Sequence, residues 1–154
     1  MSTKPIPDGY HSVTPYLIIK GAAQALAFYQ RVFGARERMR IPGSGDAVMH
    51  AEIEIGDSVI MLADECPQMN AVGPQTLGGS PVLLHLYVPD ADAMFAQAVA
   101  AGATVEQPME LKFYGDRSGS VVDPFGHRWT LSTHVEDVSP EEIGRRIAAL
   151  GKPA

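Results

Sequence analysis

Residues 13–34 read VTPYLIIKGAAQALAFYQRVFG, and this stretch decides the fold. Its first part is apolar and rich in β-branched residues, which predicts a strand at residues 13–19 with Pro15 at an edge position. Its second part repeats apolar side chains at the spacing of an amphipathic helix, which we place at residues 22–33. Gly34 then stands where a helix usually ends in a residue of positive φ. The stretch therefore predicts a β-strand followed directly by an α-helix.

The same pattern returns in residues 81–102, which read PVLLHLYVPDADAMFAQAVAAG. An apolar strand precedes Asp90, a favourable N-cap residue, and a second helical stripe begins at residue 91. This stripe closes at Gly102, 68 positions after Gly34. A strand–helix pair that recurs in this way indicates internal duplication.

Three further strands follow each helix in the predicted arrangement. They are residues 36–40, 48–55 and 58–63 in the first copy, and residues 104–109, 120–122 and 127–133 in the second. We therefore predict an α+β fold of two βαβββ modules, at 13–63 and 81–133, joined by a Gly/Pro-rich linker at 64–80 without regular structure. Ser139 as N-cap, followed by Pro140 and Glu142, predicts a C-terminal helix at 139–150.

Composition and charge restrict the class of function. The 154 residues include 12 Lys and Arg against 18 Asp and Glu, a formal net charge of −6. This balance argues against a nucleic-acid partner, which needs a basic face, and mildly favours cationic or neutral small ligands. Cys66 is the single cysteine, so no internal disulfide is expected, and no apolar run is long enough to span a membrane. We expect a soluble, cytoplasmic, single-domain protein.

Several motifs give the chain a family resemblance. Phe28-Tyr29 with Val32-Phe33-Gly34-Ala35, and Asp123-Pro124-Phe125-Gly126-His127 before the last strand, look like the vicinal oxygen chelate superfamily, which includes glyoxalase I, extradiol dioxygenases and fosfomycin- and bleomycin-resistance proteins. The segments at 10–17, 49–52, 56–58, 85–88 and 114–117 resemble its PhnB-type branch. The resemblance covers one domain at 6–134. It implies half-barrel sheets with helices on the convex face, a ligand in the concave cup, and a homodimer.

The resemblance also implies four metal-ligand positions, one on each of four strands. They fall on Thr14, Met61, Leu83 and Thr130, none of which is a good ligand for a hard divalent cation. We therefore expect no cofactor, with a relocated divalent metal as the alternative.

A different polar cluster follows from the predicted hairpin register. If Ile55 pairs with Ser58 around Gly56-Asp57, Glu52 lies opposite Met61, and His50 shares its face. The cup then holds the side chains of His50, Glu52, His85, Tyr87 and Arg128. Such a set fits a relocated metal with acid–base chemistry, a metal-free polar ligand pocket, or an internal Glu52–Arg128 ion pair with packed histidines.

The segment before the seventh strand supplies the remaining candidates. Tyr114, Asp116 and Arg117 are predicted in a loop that closes over a ligand or, as the alternative, forms a turn with a local Asp–Arg pair. The predicted ligand-binding set is His50, Glu52, Met61, His85, Tyr87, Tyr114, Asp116, Arg117 and Arg128. We predict a metal-free small-molecule binding protein, with a metal-dependent lyase, isomerase or transferase of the glyoxalase type as the alternative.

Overall fold

The computed structural model describes residues 2–151 and divides the chain into two compact units. The N-terminal unit is the chain up to Pro81 together with Pro124–His127. The C-terminal unit is Val82–Asp123 together with the chain from Arg128 onward. No helix within residues 2–151 has the length and apolar character needed to cross a membrane.

A mixed four-stranded sheet forms the frame of the N-terminal unit. The elements are β1 (Tyr16–Ile19), α1 (Ala22–Phe33), β2 (Arg36–Pro42), β3 (Val48–Ile55), β4 (Ser58–Asp64) and α2 (Pro74–Leu77). The strands lie in the order β1-β4-β3-β2, with β1 parallel to β4 and the other pairs antiparallel. The predicted helix at 22–33 and the pairing of Ile55 with Ser58 are both confirmed.

The C-terminal unit repeats this topology. Its elements are β5 (Leu83–Tyr87), α3 (Ala91–Ala100), β6 (Thr104–Leu111), β7 (Asp116–Val122), β8 (Arg128–His134) and α4 (Pro140–Ala149). The strand order is β5-β8-β7-β6, again with one parallel pair, β5 and β8. Asp90 and Ser139 cap α3 and α4 as predicted, because their side chains accept from the backbone N–H groups of Ala93 and Glu142. The predicted fold class is confirmed.

One face of each sheet carries the core, and we call the other the open face. In the N-terminal unit the fully buried side chains of Ile19, Ile53 and Leu62 lie on the α1 side. In the C-terminal unit Trp129 lies on the core side, as predicted, with 1% of its surface exposed. Because side chains alternate along a strand, the residues between these positions lie on the open faces.

Asp64, at the end of β4, joins three parts of the N-terminal unit. One carboxylate oxygen, Oδ1, accepts from the backbone N–H groups of Gly21 (3.0 Å) and Ala22 (2.9 Å) at the start of α1. The other, Oδ2, accepts from the N–H of Val48 at 2.7 Å. Since the N-cap residue of α1 is a glycine without a side chain, Asp64 supplies the cap from another strand.

Two sequence predictions about connections are wrong. The linker at 64–80 contains a 3₁₀ turn at Pro67–Met69 and the one-turn helix α2, each beginning at a proline suited to a first helical position. Strand β7 begins at Asp116, four residues before the predicted start. Its true start follows Gly115, which has φ +101° and lies so close to Glu136 that an added Cβ would collide with that residue's carbonyl oxygen.

Candidate functional site

A chain of polar side chains lies on the open face of the N-terminal sheet. Glu52 is 6% exposed, and its carboxylate accepts a hydrogen bond from the Tyr10 hydroxyl. Its second oxygen lies 2.9 Å from Nε2 of His50, and Nδ1 of His50 lies 2.8 Å from the Tyr16 hydroxyl. The resulting cluster, Tyr10–Glu52–His50–Tyr16, is called the Glu52 cluster below.

The strand register positions this cluster. Met61 of β4 pairs with both Glu52 of β3 and Tyr16 of β1, so these three side chains share one row on the open face. His50 stands two residues before Glu52 on the same face. The predicted proximity of His50 and Glu52 is therefore confirmed, and both lie beside Met61.

The electrostatics of the cluster keep Glu52 ionised. Burial alone would raise the pKa of Glu52, but hydrogen bonds from His50 and Tyr10, aided by the nearby Arg38 charge, lower it overall. The hydrogen bond to Glu52 in turn raises the pKa of the Tyr10 hydroxyl, and desolvation raises that of Tyr16. An ionised carboxylate only accepts hydrogen bonds, so His50 donates through Nε2. A neutral ring then accepts from Tyr16 at Nδ1.

Arg38 completes the surroundings of Tyr10. The register of β2 against β3 shifts between Glu37 and Met39, which makes Arg38 the extra residue of a β-bulge. Its guanidinium carbon lies 4.7 Å from the centre of the Tyr10 ring, in a cation–π contact. Its Nη1 atom is buried and has no hydrogen-bond partner among the described residues.

A cavity of about 550 Å³ adjoins the cluster at Tyr16. Its wall is mostly apolar, with contributions from the ends of β1, β3 and β4 and from the segment after β4: Ile18, Val48, Met49, Ala63, Met69 and Ala71. Cys66 also borders it, with its thiol 3.6 Å from the Gln68 side-chain oxygen. This size lies within the range of small-molecule pockets.

A second polar cluster lies on the open face of the C-terminal sheet. The carboxylate of Asp116, 3% exposed, accepts from the Tyr87 hydroxyl at 2.7 Å and bonds Nδ1 of His134 at 2.7 Å. His134 Nε2 lies 2.7 Å from Asp137. Hydrogen bonds to Asp137 and Asp116 raise the pKa of His134. His85 stacks on the Tyr87 ring, with 4.8 Å between centroids.

The other predicted residues of this unit have partners of a different kind. Asp116 and Arg117 belong to β7, so their placement in a loop before that strand is wrong. Arg117 forms a two-pronged ion pair with Asp92 of α3, at 2.8 and 2.9 Å, rather than with its neighbour Asp116. Arg128 bonds Glu106 at 2.8 Å, and Tyr114 lies edge-on to Phe113 in the turn before β7.

The amino-acid sequence matches a known protein family. Residues 10–131 match the family model of the Glyoxalase/Bleomycin resistance protein/Dioxygenase superfamily. The chain belongs to this superfamily. It is 41% identical over 143 residues to an uncharacterized protein of Mycobacterium tuberculosis (strain ATCC 25618 / H37Rv), covering 91% of this chain and 84% of that one.

Solved structures of the superfamily share the fold. TioX from Micromonospora sp. ML1 aligns with a TM-score of 0.64 at 28% identity, covering 81% of this chain and 99% of TioX. The PhnB protein from Bacillus cereus aligns with a TM-score of 0.62 at 19% identity, over 80% of this chain and 99% of that one. At that identity the likeness to PhnB shows the fold alone.

The metal positions that the superfamily implies do not fit a metal ion in this member. The Thr130 hydroxyl hydrogen-bonds Ser120 at 2.9 Å, Met61 offers a thioether, and Leu83 offers no donor atom. Hard divalent cations prefer carboxylate and imidazole ligands over these groups. Within residues 2–151, no three His, Cys, Asp or Glu side chains converge in a way that would hold a metal.

Sequence reasoning missed four residues of the two clusters, and also Arg38, which contacts Tyr10. The four are Tyr10, Tyr16, His134 and Asp137. Tyr10 and Tyr16 lie in a motif that pointed to the family, but Tyr10 precedes any regular element, so periodicity gives it no face. Arg38 reaches the open face only through the bulge. His134 is the last residue of β8, where the alternation of side chains along the strand no longer predicts a hydrogen-bond partner.

Proposed function

We propose that this superfamily member binds a small organic molecule without a metal ion, on the open face of its N-terminal sheet. One observation carries the proposal: Glu52 is an ionised, almost fully buried carboxylate, held by hydroxyl and imidazole groups in a cluster that reaches an apolar cavity at Tyr16. The predicted ligand residues in this unit are His50, Glu52 and Met61, to which we add Tyr16.

The cost of burying a charge supports a functional role. Removing a carboxylate from water is unfavourable unless hydrogen bonds compensate, and a methionine or leucine at position 52 would pack on the sheet without that cost. The Glu52 carboxylate instead belongs to a cluster whose other end, Tyr16, lines an apolar cavity. Small-molecule sites commonly pair an apolar wall with a few fixed polar groups.

A ligand screen tests this proposal. We expect compounds that raise the melting temperature of the full chain to lose that effect in Glu52→Gln, which keeps the size of the side chain and removes its charge. Glu141→Gln is the matched control, because it makes the same substitution at an exposed residue of α4 in the C-terminal unit. Hits that act equally on wild type and on Glu52→Gln would contradict the proposal.

Metal content is a separate test of the metal-free part. We expect protein purified without chelators to contain no stoichiometric metal by mass spectrometry, before and after incubation with nickel, zinc, manganese or iron(II). Stoichiometric metal that is lost on replacing Glu52 or His85 would instead support the metal-dependent enzyme.

Acid–base catalysis is the second candidate function. The specific observation in its favour is that Glu52, His50 and Tyr16 form a continuous hydrogen-bonded relay that ends at Tyr16, a residue that is 46% exposed. In such a relay the Tyr16 oxygen takes a proton from the substrate while Tyr16 passes its own hydroxyl proton to Nδ1 of His50, and the Glu52 carboxylate orients the ring and stabilises the imidazolium that forms. Turnover that falls at least a hundredfold in Tyr16→Phe, with unchanged binding, would favour catalysis over binding alone.

The proposal also includes the oligomeric state of the protein. We propose a cytoplasmic homodimer, as the superfamily resemblance implies. Light scattering coupled to size exclusion is expected to give twice the 16.5 kDa chain mass, and a single peak at the chain mass would contradict it.

A further inference from the structure

The segment before β1 places a tyrosine side chain against the Glu52 cluster. The backbone N–H of Tyr10 donates to the carbonyl of Pro7 at 3.2 Å, and Gly9 adopts φ +85° in this turn. The turn directs the Tyr10 ring beneath the guanidinium of Arg38 and its hydroxyl onto Glu52. Tyr10 belongs to no helix or strand, so its side chain reaches the sheet from a flanking segment.

The contacts of Tyr10 are those by which a protein recognises a phenol. The carboxylate of Glu52 takes the hydroxyl hydrogen, and the Arg38 guanidinium covers the electron-rich ring face. The Arg38 charge beside Glu52 disfavours a cationic group in the same place, because like charges repel in a partly buried site. The surroundings therefore fit a neutral aromatic ring with a hydroxyl group.

With Tyr10 in this position, one hydrogen-bond donor of Arg38 has no acceptor among the described residues. The Nη1 atom of Arg38 is buried without a hydrogen-bond partner among the described residues. Buried N–H groups are nearly always paired, so an unpaired one beside a proposed ligand site indicates a missing acceptor. A phenol that carries a second oxygen on its ring can fill this role, which the Tyr10 side chain, with its single hydroxyl on Glu52, cannot.

We infer that Tyr10 is an intramolecular occupant of the site, and that the ligand is a phenol that takes its place between Glu52 and Arg38. The inference rests on the proposed binding function and names its ligand class. A phenol bound in this way exchanges one hydroxyl hydrogen bond for another, and the flanking segment carrying Tyr10 leaves the sheet.

Calorimetric titration with 4-methylphenol, the side chain of tyrosine as a free molecule, tests the inference on the full chain. We expect Tyr10→Ala to bind 4-methylphenol at least tenfold more tightly than wild type, because the internal competitor is gone. The methyl ether 4-methylanisole has no hydroxyl hydrogen and is expected not to bind Tyr10→Ala. Adding Glu52→Gln to Tyr10→Ala is expected to remove the gain for 4-methylphenol.

Two control variants keep this test decisive. Ile6→Ala alters an exposed residue of the same segment and is expected to match wild type. Tyr10→Phe keeps the ring and loses only the hydroxyl, so it is expected to give an intermediate affinity, and it serves if Tyr10→Ala does not fold. Equal affinity of wild type and both Tyr10 variants, or equal binding of 4-methylanisole, would overturn the inference.

The failure of this inference is distinguishable from failure of the proposed function. If phenols fail but other screening hits depend on Glu52, the binding site stands and its ligand belongs to another class. If every hit acts independently of Glu52, the proposed function itself is wrong.

Discussion

Replacing Asp64 by alanine is expected to destabilise the protein strongly, although Asp64 is not part of the Glu52 cluster. The substitution removes three backbone hydrogen bonds to one carboxylate, at 2.7, 2.9 and 3.0 Å. Ala22 and Val48 are buried, so their N–H groups gain no water in exchange, whereas Gly21 is partly exposed. Leaving a buried donor unpaired costs about 1–3 kcal/mol, and more when the lost acceptor was charged. We expect a total loss of about 3–5 kcal/mol.

Urea denaturation followed by circular dichroism measures this effect. With a slope of about 2 kcal/mol per molar urea, the midpoint of unfolding is expected to fall by roughly 1.5–2.5 M. Asp57→Ala is the matched control, because Asp57 lies in the exposed β3–β4 turn and accepts only from Ser58 at 3.0 Å. An exposed change of this kind alters stability by about 0.5 kcal/mol or less. A loss below about 1 kcal/mol for Asp64→Ala, equal to that of Asp57→Ala, would refute the reasoning.

Three further predictions concern pH and backbone conformation. The pKa of Glu52 is lowered below 4.5, so its contribution to stability is present above pH 4.5 and is lost as pH falls through the folded-state value. The difference in urea midpoint between wild type and Glu52→Gln should therefore be larger at pH 7 than at pH 3. Hydrogen bonds to Asp137 and Asp116 raise the pKa of His134 above 6.5, so these bonds stabilise the fold fully below pH 6.5 and weaken as pH rises through the folded-state value. His134→Asn should consequently destabilise more at pH 6 than at pH 9 in thermal melts, and a loss that is larger at pH 9 would contradict this. Gly115→Ala introduces a collision at positive φ and is expected to lower the melting temperature by several degrees more than Gly45→Ala, which has positive φ but open space around it.

Much of the fold follows from the chain because its signals are local and repeated. The helix at 22–33 combines a clear apolar period with a terminal glycine, and both bounds agree with the structure. The register of β3 against β4 follows from the two-residue turn at Gly56-Asp57, which leaves Ile55 and Ser58 little choice of partner. That register alone places Glu52 beside Met61.

The parts that sequence reasoning missed depend on exceptions to local rules. Asp116 follows a glycine turn and lacks apolar alternation, because β7 carries buried serines and a glycine on its way to Val121. Hydrogen bonds satisfy this polar strand, as between Ser118 and Ser132 at 2.8 Å. Hydrophobic periodicity does not predict a strand whose buried side chains are polar and hydrogen-bonded to each other in this way.

The two modules share a backbone topology but carry different side chains on their open faces. Both sheets have the same strand order. Each has a row of three open-face side chains, across β1, β4 and β3 in one unit and across β5, β8 and β7 in the other. In the N-terminal unit this row reads Tyr16–Met61–Glu52, whereas the corresponding row of the C-terminal unit reads His85–Thr130–Ser120. The topology thus predicts which three positions share a row on the open face, and the side chains at those positions determine what the row can bind.

Net charge is a weaker guide to the ligand than the groups in direct contact with the site. The charge of −6 suggests a cationic ligand when the chain is read as a whole. At the Glu52 cluster, however, the Glu52 carboxylate lies near the Arg38 guanidinium, which lies over the Tyr10 ring and 4.0 Å from the Glu54 carboxylate. Exposed charges farther than about 10 Å are largely screened in physiological salt. The overall charge therefore acts on solubility and diffusional encounter, while we expect selectivity at this site to depend on Glu52 and Arg38.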